Sequence, residues 1–149
     1  MRDKLYGSFL ILFCFLLFVN CGGSDPTAEE KVTKILTSGD GTWEPSAAAN
    51  SITVEGIDVK EDLFQDFTIR FTKDKIFTTG TSPVWLREDT WHFKEGSKAT
   101  ILIRGMDDKE ISITEISSAQ LKISLEWDQT TYGGRVASLP GLYEFILDK

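Results

Sequence analysis

The chain has 149 residues, 16 Lys and Arg against 23 Asp and Glu, and a formal net charge of -7. That is the length of one domain, and its acidity excludes a nucleic-acid partner and a polybasic lipid-docking patch, both of which need clustered cations. With 41% hydrophobic and 26% charged residues, the chain is too apolar for a disordered protein and ordinary for a globular one.

Arg2 and Lys4 give a positive start, and Phe9 to Val19 is then an unbroken apolar run. It is about half of the roughly 20 residues needed to span a bilayer, which suits the hydrophobic region of a signal peptide. Cys21 follows, then the small residues Gly22, Gly23 and Ser24. The segment resembles a bacterial lipoprotein signal, although Phe18 and Asn20 stand where that family carries a leucine and a small residue. The resemblance implies a signal peptide over residues 1–20, a lipidated Cys21 with its linker over 21–26, and a domain over 27–149. An uncleaved anchor or a plain secretory signal are the alternatives.

Cysteine usage agrees with the lipoprotein reading. Cys14 lies in the apolar run and leaves with it, so Cys21 stands alone and the domain has no internal disulfide. A redox or metal-thiolate function is excluded with it. Removing residues 1–20 takes away Arg2, Lys4 and Asp3, one net positive charge, which turns -7 into -8. An acidic domain is held at a membrane by a tether and not by its charge. One acyl chain anchors only marginally; the diacyl or triacyl (palmitate-type) cysteine that the resemblance implies anchors almost permanently. The expected location is therefore exported and lipid-anchored at the outer membrane. Asp25, Glu29 and Glu30 also resemble an export signal for the outer surface.

Next comes a helix. Thr27 and Glu30 form a Thr-x-x-Glu capping pair, Val32, Ile35 and Leu36 follow at helical spacing, and Gly39 ends it. Beyond Trp43 the apolar period becomes 2. The clear runs are Phe67-Ile69-Phe71, Trp91-Phe93, Ile101-Ile103, Ile111-Ile113, Leu121 to Trp127 and Tyr143 to Leu147. Ile52-Val54 and a run at Ile76 or Phe77 are weaker. Each has one apolar and one wet face, and the inward positions read as apolar throughout, as for antiparallel strands covered on one side. Turn residues lie between them: Asp74, Gly80 to Pro83, Glu95-Gly96-Ser97, Gly105 to Lys109 and Ser117 to Gln120.

Eight strands joined by short hairpins make an all-β fold. Closure removes free edges most simply. An eight-stranded antiparallel up-and-down barrel with a short N-terminal helix is therefore expected ahead of a sandwich. Glu55 to Asp66 reads as a loop with one helical turn, and Asp128 to Pro140 as a long final loop, a place where function often sits.

Gly41-Thr42-Trp43 lies between the helix and the first clear strand. A Gly-x-Trp there, followed by about eight strands, resembles the lipocalins, and more closely the lipocalin-like lipoproteins of Bacteroidetes. The resemblance rests on Gly41 and Trp43. It implies a tryptophan closing one barrel end and an interior able to hold a small apolar ligand. The family's later Thr-Asp-Tyr motif has no counterpart, and no arginine is evident to pack on the tryptophan.

Chemistry is sparse. His92, the one histidine, alternates with Trp91 and Phe93 and so faces out; no nucleophile or carboxylate is marked as its partner. Zinc lacks ligands, Asp107-Asp108 lacks calcium-loop spacing, and phosphate-loop and nucleophile-elbow motifs are missing. The expectation is a non-enzyme with no cofactor and no metal. The inward set Phe67, Phe71, Trp91, Phe93, Ile103, Ile113, Trp127 and Phe145 is the candidate ligand cavity, for a lipid-like or aromatic molecule. The alternative is a filled barrel, since eight strands enclose little more than their own side chains. In that case the protein binds a protein partner through 80–87 and 128–140. Trp85 would then be a rim contact or a lid on the core.

Overall fold

The computed structural model describes residues 25–129, 131–132 and 136–149, with backbone only at 131–132 and 136–137. Cys21 lies outside the described residues. The first element, α1 (Ala28–Leu36), begins as its capping pair requires: the Thr27 hydroxyl accepts from the Glu30 amide at 3.1 Å, and the Thr27 amide donates to the Glu30 carboxylate at 2.8 Å. Val32, Ile35 and the fully buried Leu36 turn inward, so the helix lies on the core with one stripe.

Strands follow as β1 (Thr42–Pro45), β2 (Ile52–Val54) and β3 (Ile57–Asp58), then the single turn α2 (Lys60–Leu63). Next come β4 (Thr68–Phe71), β5 (Lys75–Thr79), β6 (Glu88–Phe93), β7 (Ile101–Arg104), β8 (Glu110–Ile116) and β9 (Gln120–Trp127). A two-residue hairpin, β10 (Thr131–Tyr132) with β11 (Val136–Ala137), precedes β12 (Gly141–Asp148).

Neighbours pair antiparallel in the order β1-β4-β5-β6-β7-β8-β9-β12, and β12 returns to β1 through Glu44↔Asp148 and Pro45↔Leu147. The result is a closed eight-stranded antiparallel barrel with a short helix at its N-terminal side. Its first strand is broken in two. β1 pairs with β4 and the end of β12, while β2 pairs with Tyr143 to Phe145 further along β12 and carries β3 on its outer side. The sequence pattern places the first strand at Ile52; it begins ten residues earlier, at the Gly-x-Trp motif itself. Between β3 and β4 the wall is completed by α2 and the buried Phe64, the helical turn expected within Glu55 to Asp66.

The inward faces correct the sequence reading at β7. Ile101 and Ile103 are expected inside, yet Leu102 and Arg104 are the fully buried pair and the isoleucines are half-exposed outside. The register explains this: Trp91 points inward and lies opposite Arg104, so the two share a face. Ile101-Leu102-Ile103 is apolar at every position, so alternation cannot choose its face. Inward positions are also not all apolar, since Thr78, Asp89 and Arg104 are buried.

Candidate functional site

At the end covered by α1, the motif residues do structural work. Gly41 has φ +79, and a Cβ there would lie 2.1 Å from the Phe71 carbonyl oxygen; only glycine lets the chain pass β4 at this distance. Trp43 is fully buried and donates from Nε1 to the Leu36 carbonyl at 3.0 Å, which closes the last turn of α1 onto the barrel. The cation over its ring is Lys149, not an arginine. Its Nζ sits 4.3 Å from the ring centroid and donates to the Ser38 carbonyl at 2.6 Å. Burial lowers the Lys149 pKa, and the Asp40 charge opposes that shift.

The candidate cavity residues divide into two groups of touching rings. Near α1, Trp91 makes edge contacts with Phe71 and Phe93, with centroids 6.2 and 5.2 Å apart. Toward the opposite end, Phe64, Phe67, Tyr143 and Phe145 pack together, with Phe64 edge-on to Phe67 at 5.3 Å and to Phe145 at 5.4 Å. Ile113 and Trp127 join the same core; Ile103 lies outside it and Phe93 only borders it. Trp85, contributed by the β5–β6 loop, is 3% exposed and lies edge-on to Phe145 at 5.5 Å, so it caps the core.

Under this cap sits a polar cluster that pattern reading misses. Arg104, fully buried, donates from Nη1 to the Val84 carbonyl at 2.5 Å, from Nε to Asp107 at 3.1 Å, and from Nη2 to the same carboxylate. Its guanidinium lies between the rings of Trp85 and Trp127, at 5.5 and 5.6 Å. Asp89 Oδ1 accepts from the Thr90 and Met106 amides, and its Oδ2 is 4.0 Å from Arg104 Nε. The Trp127 indole donates to Ser138 at 2.8 Å and Ser138 to the Gln129 carbonyl, which ties the final loop to β9. Tyr143 donates to the Leu139 carbonyl at 2.9 Å; burial pushes its phenol pKa up. The only sequence hint was a charged residue ending an apolar run just before Gly105.

The outer rim of this end is acidic. Asp107, Asp108, Lys109, Glu110, Glu126 and Asp128 line an open groove of about 340 Å³. Lys109 is drawn onto Asp128 at 2.7 Å, a hydrogen bond that holds the Asp128 carboxyl below the usual range. Among the described residues, the exposed large apolar side chains Ile57, Met106, Leu139 and Leu142 all belong to turns and strand starts at this end.

Beside α1 is a second, open cleft of about 740 Å³, lined by the helix and by Lys73, Trp91, His92 and Phe93. His92 is exposed on the outer face of β6, as its alternation requires. No group of three or more His, Cys, Asp or Glu is placed to hold a metal ion among the described residues.

Fold and site together define a lipocalin-like β-barrel with a packed interior and two differently built ends. Compared with known proteins, the chain matches no family model, no curated protein and no solved structure.

Proposed function

We propose that this protein is a lipid-anchored, non-catalytic binding module of the bacterial outer membrane that meets its partner at the rim remote from α1. The observation that carries the reading is the ring packing inside the barrel, with Phe64 edge-on to Phe67 and Phe145, and Trp85 edge-on to Phe145. An eight-stranded barrel is either filled by side chains or holds one small ligand, and here an interior apolar ligand would have to displace these rings. The sequence alternative of a filled barrel binding through its loops is therefore preferred to a carrier of a small apolar ligand.

Support for the rim comes from Ile57, Met106, Leu139 and Leu142, the exposed large apolar side chains among the described residues, all of which lie at one end of the barrel; exposed apolar surface concentrated in one region marks interaction sites. Of the two loops expected to make contact, 128–140 offers Leu139, while 80–87 spends Val84 and Trp85 on the core. The membrane half of the reading rests on Cys21 and its resemblance to lipoprotein signals.

The test replaces Met106, Leu139 and Leu142 together with serine in the full lipidated chain. Crosslinking in intact envelopes should lose a defined adduct of the wild-type protein, with the unfolding midpoint unchanged. The same adduct on both proteins would refute the rim. Labelled palmitate on wild-type but not on Cys21→Ser tests the anchor separately.

A further inference from the structure

We propose that the cleft between α1 and β6 seats the headgroup of a zwitterionic phospholipid, so that the α1 end of the barrel rests on the bilayer. This rests on the lipid-anchor reading of Cys21. Thr27, which lines the cleft, is the sixth residue after Cys21. A fully extended chain covers at most about 3.6 Å per residue, so Thr27 stays within about 20 Å of the lipidated residue. The remote rim stands off by the length of the strands, and the tether therefore presents the α1 end to the membrane.

The lining suits a headgroup carrying both charges. Lys34 and Lys73 offer ammonium groups for a phosphate, and Glu29 a carboxylate for the ammonium of the headgroup. None of these three side chains has an ion pair or hydrogen-bond partner among the described residues. Glu30, the other carboxylate there, is committed to the helix cap. Phe93 and the edge of Trp91 supply an apolar floor of the kind that aromatic side chains give at a membrane interface. Local charge is balanced in the cleft, whereas the whole chain carries -7. An anionic bilayer would repel the domain, and a zwitterionic one would not. The cleft's open shape at about 740 Å³ admits a headgroup from outside without disturbing the packed interior.

The test uses the full lipidated chain in vesicles of phosphatidylethanolamine with phosphatidylcholine, and in vesicles of phosphatidylglycerol. Flotation is read first, and amine labelling of each lysine is then measured on the floated protein. The expected result is that labelling of Lys34 and Lys73 falls several-fold in the zwitterionic vesicles relative to detergent solution. Lys109, at the remote rim, should keep its labelling, and phosphatidylglycerol vesicles should give little protection. A K34E/K73E variant should float equally well but lose protection of the amides of His92 and Phe93 in hydrogen exchange. Protein that floats with Lys34 and Lys73 labelled as in detergent overturns the headgroup site and leaves the anchor standing. Protein that stays in the aqueous fraction overturns both. Equal protection in phosphatidylglycerol overturns the zwitterionic assignment.

Discussion

Replacing Arg104 with methionine removes the cation that organises the capped end of the barrel. Methionine keeps much of the volume and can lie between Trp85 and Trp127, so lost packing is the smaller part of the effect. The larger part is charge. Asp89 Oδ2 has no hydrogen bond and its nearest cation is Arg104 Nε at 4.0 Å; at an effective dielectric of about 20, that separation corresponds to about 4 kcal/mol of attraction. Asp107 loses two hydrogen bonds and the Val84 carbonyl one. Breaking a buried ion pair from one side costs about 3–5 kcal/mol, a large share of the 5–15 kcal/mol that holds such a domain together. Urea unfolding followed by fluorescence should show a loss of that size for Arg104→Met. The double variant with Asp89→Asn should recover about 1–3 kcal/mol of it, as coupled neighbours do. A loss below about 1 kcal/mol, or strict additivity in the double variant, would refute the argument that Arg104 and Asp89 act as a pair.

Trp85→Ala should cost about 3–5 kcal/mol and leave an apolar void over Phe145. Calorimetry with indole should then detect binding to the variant and none to the wild type. Gly41→Ala sets a Cβ against the Phe71 carbonyl at a positive φ and should lower the urea midpoint far more than Gly39→Ala, where nothing lies within 4 Å. Acid should weaken the fold in one direction. Hydrogen bonds from Thr42, Lys60, Lys109 and Ser46 are the leading causes that lower the Asp40, Asp58, Asp128 and Asp148 pKa values. Their contribution is complete above the ordinary value of 3.8 and is lost as pH falls through the lowered folded-state values. Urea midpoints should therefore stay nearly level from about pH 7 to 5 and drop below about 4; a midpoint that rises on acidification would contradict this.

How legible the fold was depended on what decided each local structure. The α1 cap was readable because Thr27 and Glu30 make a local bargain that needs nothing from the rest of the chain. Strands with one apolar and one wet face, such as Leu121 to Trp127, were readable because the pleat maps sequence parity onto sides. β7 was not, since three consecutive apolar residues erase parity and the register to Trp91 decides. β1 escaped because Pro45 follows only three residues in, and β3 because two residues carry no period. Arg104 was invisible for a related reason: an arginine reads as solvent-facing until the Val84 carbonyl and two indoles come from distant parts of the chain to join Asp107, three residues on, in satisfying it. Lys149, the cation on Trp43, sits at the far end of the sequence and has no motif around it.

The central claim is that the barrel interior is occupied by its own side chains and that binding takes place outside. Native mass spectrometry of the full lipidated protein, extracted gently from the envelope, tests it most directly. The account predicts the mass of the acylated polypeptide with no small molecule retained in the barrel. A stoichiometric apolar molecule that survives release from detergent, and whose retention disappears when Phe67 or Phe145 is enlarged to tryptophan, would contradict it.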